Sequence, residues 1–167
     1  VIPYFCPKMG GSAEAAYQLT RHLSMRGHDV TVATSDYALK SSKYDTSGLR
    51  VIYFSTQISR SGMYLTWELV PWIGRYVSDY DVIHMHTVRT FQNAVVRRAA
   101  VARDVPYVLS AHGTLPVIVE RKLAKRIFDV IAGRAIVRDA VKLIAVSGAE
   151  VQQYLEAGVR QSKIKVI

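Results

Sequence analysis

The feature that most constrains this chain is a repeated alternation. Short apolar runs, many of them β-branched, occur at 1–5, 29–34, 50–54, 81–86, 106–110, 143–146 and 163–167. Each is too short for a stable helix and too apolar for a loop, so each reads as a buried strand. Helices are expected between them. One lies around Ala16, Leu19, Leu23 and Met25 and stops at Gly27; others cover 64–78, 90–103, about 117–137 and 149–157. Pro71 should break or kink the second of these. Strands that alternate with helices pair in parallel through crossovers. The pattern predicts an α/β fold with a doubly wound, mostly parallel sheet and helices on both faces.

In such a sheet, ligands bind beyond the carboxyl ends of the strands. The loops expected to carry chemistry are therefore 6–12, 35–48, 86–90, 111–116 and 147–149. The 167 residues, half of them apolar, suffice for one core. No apolar run approaches the ~18 residues of a membrane-spanning helix. Cys6 is the single cysteine, which excludes a disulfide framework and points to a reducing compartment. The first residue is Val1 rather than Met, so a trimmed chain is expected.

Within the candidate loops, Gly10-Gly11 lets the backbone turn tightly before a helix whose free N–H groups favour an anion. The spacing matches neither G-x-G-x-x-G nor a P-loop. A plain βα turn needs the same two residues, and spacing leaves both readings open. His112-Gly113-Thr114 follows a strand, where a histidine can donate to an anionic oxygen or a sugar hydroxyl. The alternative is a histidine that satisfies loop carbonyls. His84 and His86 share one strand face, and H-x-H can hold a metal. No further ligands accompany the pair, so His86 is placed at the cleft border and His84 among packed or hydrogen-bonded residues. Glu14, Glu68 and Asp81 stand isolated, and Cys6 reads as a small buried residue.

Charge is uneven. The net charge is +9; residues 1–83 carry 8 basic and 7 acidic side chains, and residues 84–167 carry 14 and 6. Glu120-Arg121-Lys122-Leu123-Ala124-Lys125-Arg126-Ile127-Phe128 is amphipathic and basic, suited to an anionic lipid surface or a phosphorylated acceptor, or simply to a solvated helix face. No nucleic-acid-binding signature is visible, and aromatic residues do not interleave the basic run.

Taken in order, several segments resemble the N-terminal half of a family-4 retaining glycosyltransferase of the GT-B fold, the glycosyl transferase group 1 type. The residues are Pro7 with Gly10-Gly11, Leu19 through Leu23, Arg26-Gly27-His28-Asp29-Val30-Thr31-Val32, Asp81-Val82-Ile83-His84-Met85-His86, and Ser110-Ala111-His112-Gly113-Thr114. Leu143-Ile144-Ala145-Val146-Ser147, Gly158-Val159 and Lys163-Ile164-Lys165-Val166-Ile167 complete the set. The resemblance implies that 1–167 is the acceptor-side, Rossmann-like half of a GT-B fold. The donor-binding C-terminal domain, with its E-x7-E motif, would lie outside this chain, which would then be inactive alone.

The resemblance further implies sugar transfer from a nucleotide sugar, such as a UDP- or GDP-sugar, to a carbohydrate or lipid-linked acceptor with retention of configuration. Gly10, Gly11 and Ser12 would meet the donor diphosphate. His112 would be catalytic, its carbonyl facing the anomeric carbon, with His86, Gly113, Thr114 and Ser147 lining the cleft. No metal or other cofactor is implied. The expected location is cytoplasmic, with peripheral membrane contact through 121–142. Two departures stand out: Ala13 takes the place where a Glu often follows the glycines, and Ser147-Gly148 replaces the commoner Ser-Glu. The competing readings are a nucleotide-sugar epimerase on the same fold, a metal-dependent hydrolase using His84 and His86, and a non-enzymatic anion- or membrane-binding module.

Overall fold

The computed structural model describes residues 1–40, 45–60, 63–116 and 122–167. Most predicted runs are strands. β1 (Thr31–Ser35) pairs in parallel with β2 (Arg50–Phe54). The hairpin β3 (Ile58–Arg60) and β4 (Met63–Leu65) is antiparallel. β5 (Ile83–His86), β6 (Tyr107–Ser110), β7 (Lys142–Ala145) and β8 (Ile164–Val166) are parallel in that order.

Segment 1–5 joins the two parallel groups. On one side Ile2 N donates to Ala33 O at 3.2 Å, and Tyr4 bridges Ser35 in parallel. On the other, Val1 N donates to His84 O at 2.6 Å and His86 N donates to Val1 O at 2.9 Å. The continuous order is therefore β2, β1, segment 1–5, β5, β6, β7, β8. The order reverses beside segment 1–5, and such a reversal opens a crevice at the carboxyl ends of the flanking strands.

Side chains alternate across this sheet. Ile2, Val32 and Val51 enter one apolar cluster, while their neighbours Val1, Ala33 and Ile52 enter another. α1 (Gly11–Met25) covers the first face with Ala13, Ala16 and Thr20. The second face carries α2 (Leu69–Tyr76), α3 (Phe91–Ala102), α5 (Arg134–Asp139) and α6 (Gly148–Glu156). Met85, Leu109 and Leu143 are fully buried there, each burial contributing about 1.5–3 kcal/mol.

Four sequence expectations are corrected. In α1 the buried turn uses Thr20, whose hydroxyl donates to Ala16 O at 2.8 Å, while Met25 is 78% exposed. The helix expected over 64–78 begins only at Leu69, because Tyr64 and Leu65 belong to β4. Pro71 sits in the first turn of α2, where its missing N–H has no helical partner to lose, so it neither breaks nor kinks the helix. The loop expected over 35–48 opens with a 3-10 helix, Asp36–Lys40. Of the helix expected over 117–137, residues 117–121 lie outside the described residues. From Lys122 it runs through α4 (Lys122–Phe128) and a π-helical turn (Asp129–Gly133) into α5.

Candidate functional site at the carboxyl edge of the sheet

Three loops meet where β5, β6 and β7 end, and each is held by side chains that follow it. After β5, Thr87 adopts φ +64°, a left-handed conformation that a β-branched residue rarely takes. Buried Asn93, on the first turn of α3, donates through Nδ2 to His86 O at 3.1 Å and Thr87 O at 2.8 Å. Thr90 caps that helix by accepting from Asn93 N. The start of α3 thereby fixes the strained end of β5.

After β6, His112 and Gly113 also have positive φ, +51° and +71°. Two left-handed residues in succession reverse the chain. Thr114 Oγ1 then accepts from Val88 N at 3.1 Å and donates to Ala111 O at 2.6 Å, tying this loop to the one after β5. Arg89 ties both to the helix beyond. Its guanidinium donates to Thr114 O, Leu115 O and both carboxylate oxygens of Asp129, the last at 2.8 and 2.7 Å.

The third anchor is Glu150, which is buried. Its Oε1 accepts from Gly113 N at 2.5 Å and its Oε2 from Val146 N at 2.8 Å. One carboxylate thus bridges the loops after β6 and β7. Ser147 caps α6 by accepting from Glu150 N at 3.3 Å. The sequence signal for this anchor is S-x-x-E at Ser147–Glu150, a capping pattern. Tyr154 reinforces it: its hydroxyl accepts from Ala111 N and donates to Ile144 O, and burial pushes its phenol up to about 12.

The histidines lie on the sheet face that α1 shares. His86 Nδ1 and His112 Nε2 are 2.9 Å apart, and His84 Nε2 meets Ser110 Oγ at 2.8 Å. His84 stacks on His86 with centroids 4.3 Å apart. Burial is the main cause that lowers all three: His84 to about 3, His86 well below its usual range, and His112 below its usual value with the Glu150 carboxylate opposing the effect of burial. The rings are neutral near pH 7, and a neutral pair can share one N–H. Among the described residues nothing donates to the His112 carbonyl.

The structure therefore brings His86, His112, Gly113, Thr114 and Ser147 into one cluster and adds Glu150, Arg89, Asn93 and Tyr154, which sequence reasoning missed. Gly10-Gly11-Ser12 follows the neighbouring strand segment 1–5. Gly10 has φ +136° and a Cβ added at Gly10 or Gly11 meets nothing within 4 Å, so this helix start is open. No hydrogen bond joins it to the histidines among the described residues. Glu14 binds Gln18 one turn on, Glu68 accepts from Ser55 N, and Cys6 is buried. Among the described residues no group of three His, Cys, Asp or Glu side chains could hold a metal, and no helix is long and apolar enough to cross a membrane.

Residues 10–167 match the family described as the glycosyl transferase 4-like domain. One subunit of the human phosphatidylinositol N-acetylglucosaminyltransferase is 33% identical over 93 residues, which is 52% of this chain and 19% of that protein. Crystal structures of Anabaena HepE superpose over 99% of this chain. The complex with UDP gives a TM-score of 0.65 at 19% identity, and the complex with UDP-glucose gives 0.67 at 20%. At that identity the likeness speaks for the fold, which is the one expected. The chain spans 42% of those structures and less of the human protein.

Proposed function

The chain belongs to the glycosyl transferase 4-like domain family, and from that premise we propose that it is the acceptor-side half of an enzyme that moves a sugar from a nucleotide sugar to an acceptor hydroxyl with retention of configuration. The observation that carries this reading is His112. It stands at a strand end in a left-handed conformation, its ring held by His86 and its following amide held by Glu150, and none of the described residues donates to its carbonyl. Such a carbonyl, fixed before substrate arrives, stabilises positive charge without reorganising.

In the proposed reaction the bond between the anomeric carbon and the diphosphate oxygen breaks, and the acceptor oxygen bonds to that carbon from the same face. The leaving diphosphate takes the acceptor's proton. The His112 carbonyl faces the developing positive charge, and the neutral ring donates to the sugar or the diphosphate. Gly11 and Ser12 N–H groups, at the open start of α1, receive the diphosphate. His86, Thr114 and Ser147 line the acceptor side. This reading needs no metal and places the rest of the donor site in a second domain, so residues 1–167 alone would be inactive. That HepE binds UDP and UDP-glucose makes a UDP-hexose the donor to try first.

The test uses the full-length protein. With a UDP-sugar and acceptor, the expected result is release of nucleoside diphosphate matched by a retained glycoside. His112→Ala keeps the carbonyl but removes the ring that donates to the sugar or the diphosphate, together with the bond to His86 that holds the residue in place. It should lower kcat by about a hundredfold or more in protein that circular dichroism shows to be folded. Turnover near that of the unaltered protein would refute the role given to His112.

A further inference from the structure

The 122–139 helix has two apolar sides, and the fold uses one. Phe128, Ile136 and Val137 face the core. Leu123, Ile127, Val130 and Ile131, spaced as one helical stripe, are instead 73, 50, 71 and 76% exposed. A contiguous exposed stripe of this kind marks an interaction surface.

Beside Val130 the stripe borders a groove of about 1030 Å³ between this helix and the turn that precedes β8. Six basic and two acidic side chains line it among the described residues. Three of the basic groups are already committed: Arg89 to Asp129, Arg138 to Asp139, and Lys163 to the Arg138 and Ala140 carbonyls. The guanidinium groups of Arg126, Arg134 and Arg160 have no hydrogen-bond or ion-pair partner among the described residues. Asp129 is spent on Arg89, and Glu156 is the other acid. Three unengaged guanidinium groups around one concavity fit a phosphate, which they can bind through paired N–H donors.

We infer that this face docks on an anionic lipid surface, with Leu123, Ile127, Val130 and Ile131 in the boundary between headgroups and acyl chains and a lipid phosphate on Arg126, Arg134 and Arg160. Apolar and cationic groups are contiguous here, and a lipid surface satisfies both at once. A soluble phosphate would leave the aliphatic stripe in water. A second copy of this chain would bring its own net charge of +9 against the same arginines. The inference stands apart from the transfer reaction, since the groove contains none of the residues assigned to it.

Flotation with vesicles tests the proposal. The protein should bind vesicles of phosphatidylcholine mixed equally with phosphatidylserine, bind phosphatidylcholine alone far less, and release as salt rises. Ile127→Ser with Ile131→Ser, and separately Arg134→Ala with Arg160→Ala, should each weaken binding by about tenfold or more. All four positions are exposed, so circular dichroism and thermal unfolding should not change. If the serine pair lowers the melting temperature, Leu123→Ser alone gives the same reading. Absence of binding, equal binding to both vesicle types, or indifference to either pair would overturn the proposal. So would glycerol phosphate displacing the protein at the concentration of accessible lipid phosphate, which assigns the groove to a soluble ligand. A dimer in sedimentation that Ile131→Ser dissolves would assign the stripe to a second copy and equally overturn it.

Discussion

His86 Nδ1 and His112 Nε2 lie 2.9 Å apart with ring planes 10° from parallel, so a single proton joins the ends of two adjacent strands. The bond requires one bare nitrogen. It survives while the pair holds one shared N–H and is lost when both facing nitrogens are protonated. Burial guards against that by holding His86 well below its usual value and His112 below it. The Glu150 carboxylate pulls His112 the other way, and the same carboxylate fixes the Gly113 amide. The ring of the proposed catalytic residue thus answers to both His86 and Glu150, and the amide that follows it is held by Glu150 as well.

Acid should therefore lower the stability of the whole fold while the site histidines stay neutral within it. A histidine held neutral in the fold but free to charge when unfolded takes up a proton on unfolding. Its effect on stability is absent above about pH 6.5, the ordinary histidine value, and grows as pH falls from there. For His84 the window runs from about 6.5 to about 3. Within it, each such proton lowers stability by about 1.4 kcal/mol per pH unit. Urea unfolding at pH 7 and pH 5 should show this slope, and His84→Asn should flatten it. Imidazole nitrogen spectra should show His84 still neutral at pH 5, and a midpoint near 6.5 for His84 would remove the basis of this prediction.

Glu150 separates support from chemistry. Glu150→Ala leaves the Gly113 and Val146 amides without their acceptor, at a cost of about 2–4 kcal/mol in urea unfolding. Glu150→Gln keeps the shape and one acceptor oxygen, so it should cost less, yet it removes the negative charge that opposes the depression of His112. The His112 midpoint should then fall further. A midpoint that rises or stays in Glu150→Gln would show that the carboxylate does not act on the ring.

The parallel order was legible because 31–35, 50–54, 83–86, 107–110 and 142–145 are apolar on one or both faces and bounded by turns. The β3–β4 hairpin was not, since three-residue strands such as Met63–Leu65 are too short to show a period of two. The buried side of α1 was misjudged because Thr20 hides its hydroxyl on Ala16 O, so a polar letter occupies a core position. At the site, His86 and His112 were found from their positions after strands. Glu150, Arg89 and Asn93 were missed because their roles depend on pairings across 37, 25 and 6 residues, with no local periodicity to mark them. The S-x-x-E spacing at Ser147 was the one available signal.

Arg89 gathers the loops after β5 and β6 through two carbonyls and Asp129, with both charged side chains largely buried. Arg89→Lys cannot reproduce a planar fork with bonds to three groups. It should cost about 1–3 kcal/mol, and a double-mutant cycle with Asp129→Asn should return a coupling of about 1–3 kcal/mol. The π-helical turn contributes here, because a Cβ on Gly133 would run into the Asp129 carboxylate. Gly133→Ala should displace Asp129 and weaken the same pair. Additive losses in the cycle would show that the ion pair does not hold these loops together.

Gly10 and Gly11 are adjacent but should fail differently. Gly10 has φ +136° and ψ 170°, a region almost reserved for glycine, so Gly10→Ala should cost about 1–3 kcal/mol although no atom lies within 4 Å of the added carbon. Gly11 opens α1 with φ outside the positive region and equally open space. Gly11→Ala should leave stability within about 0.5 kcal/mol, since alanine is the better helix former. The new methyl, however, would stand on the open side of the helix start, where the diphosphate is proposed to approach. In the full-length protein, calorimetric titration with UDP-glucose should show Gly11→Ala weakening donor binding by about tenfold or more, the scale of 1.4 kcal/mol or greater. Unchanged affinity with unchanged stability would mean that the diphosphate does not approach the start of α1, and that the two glycines serve the turn alone.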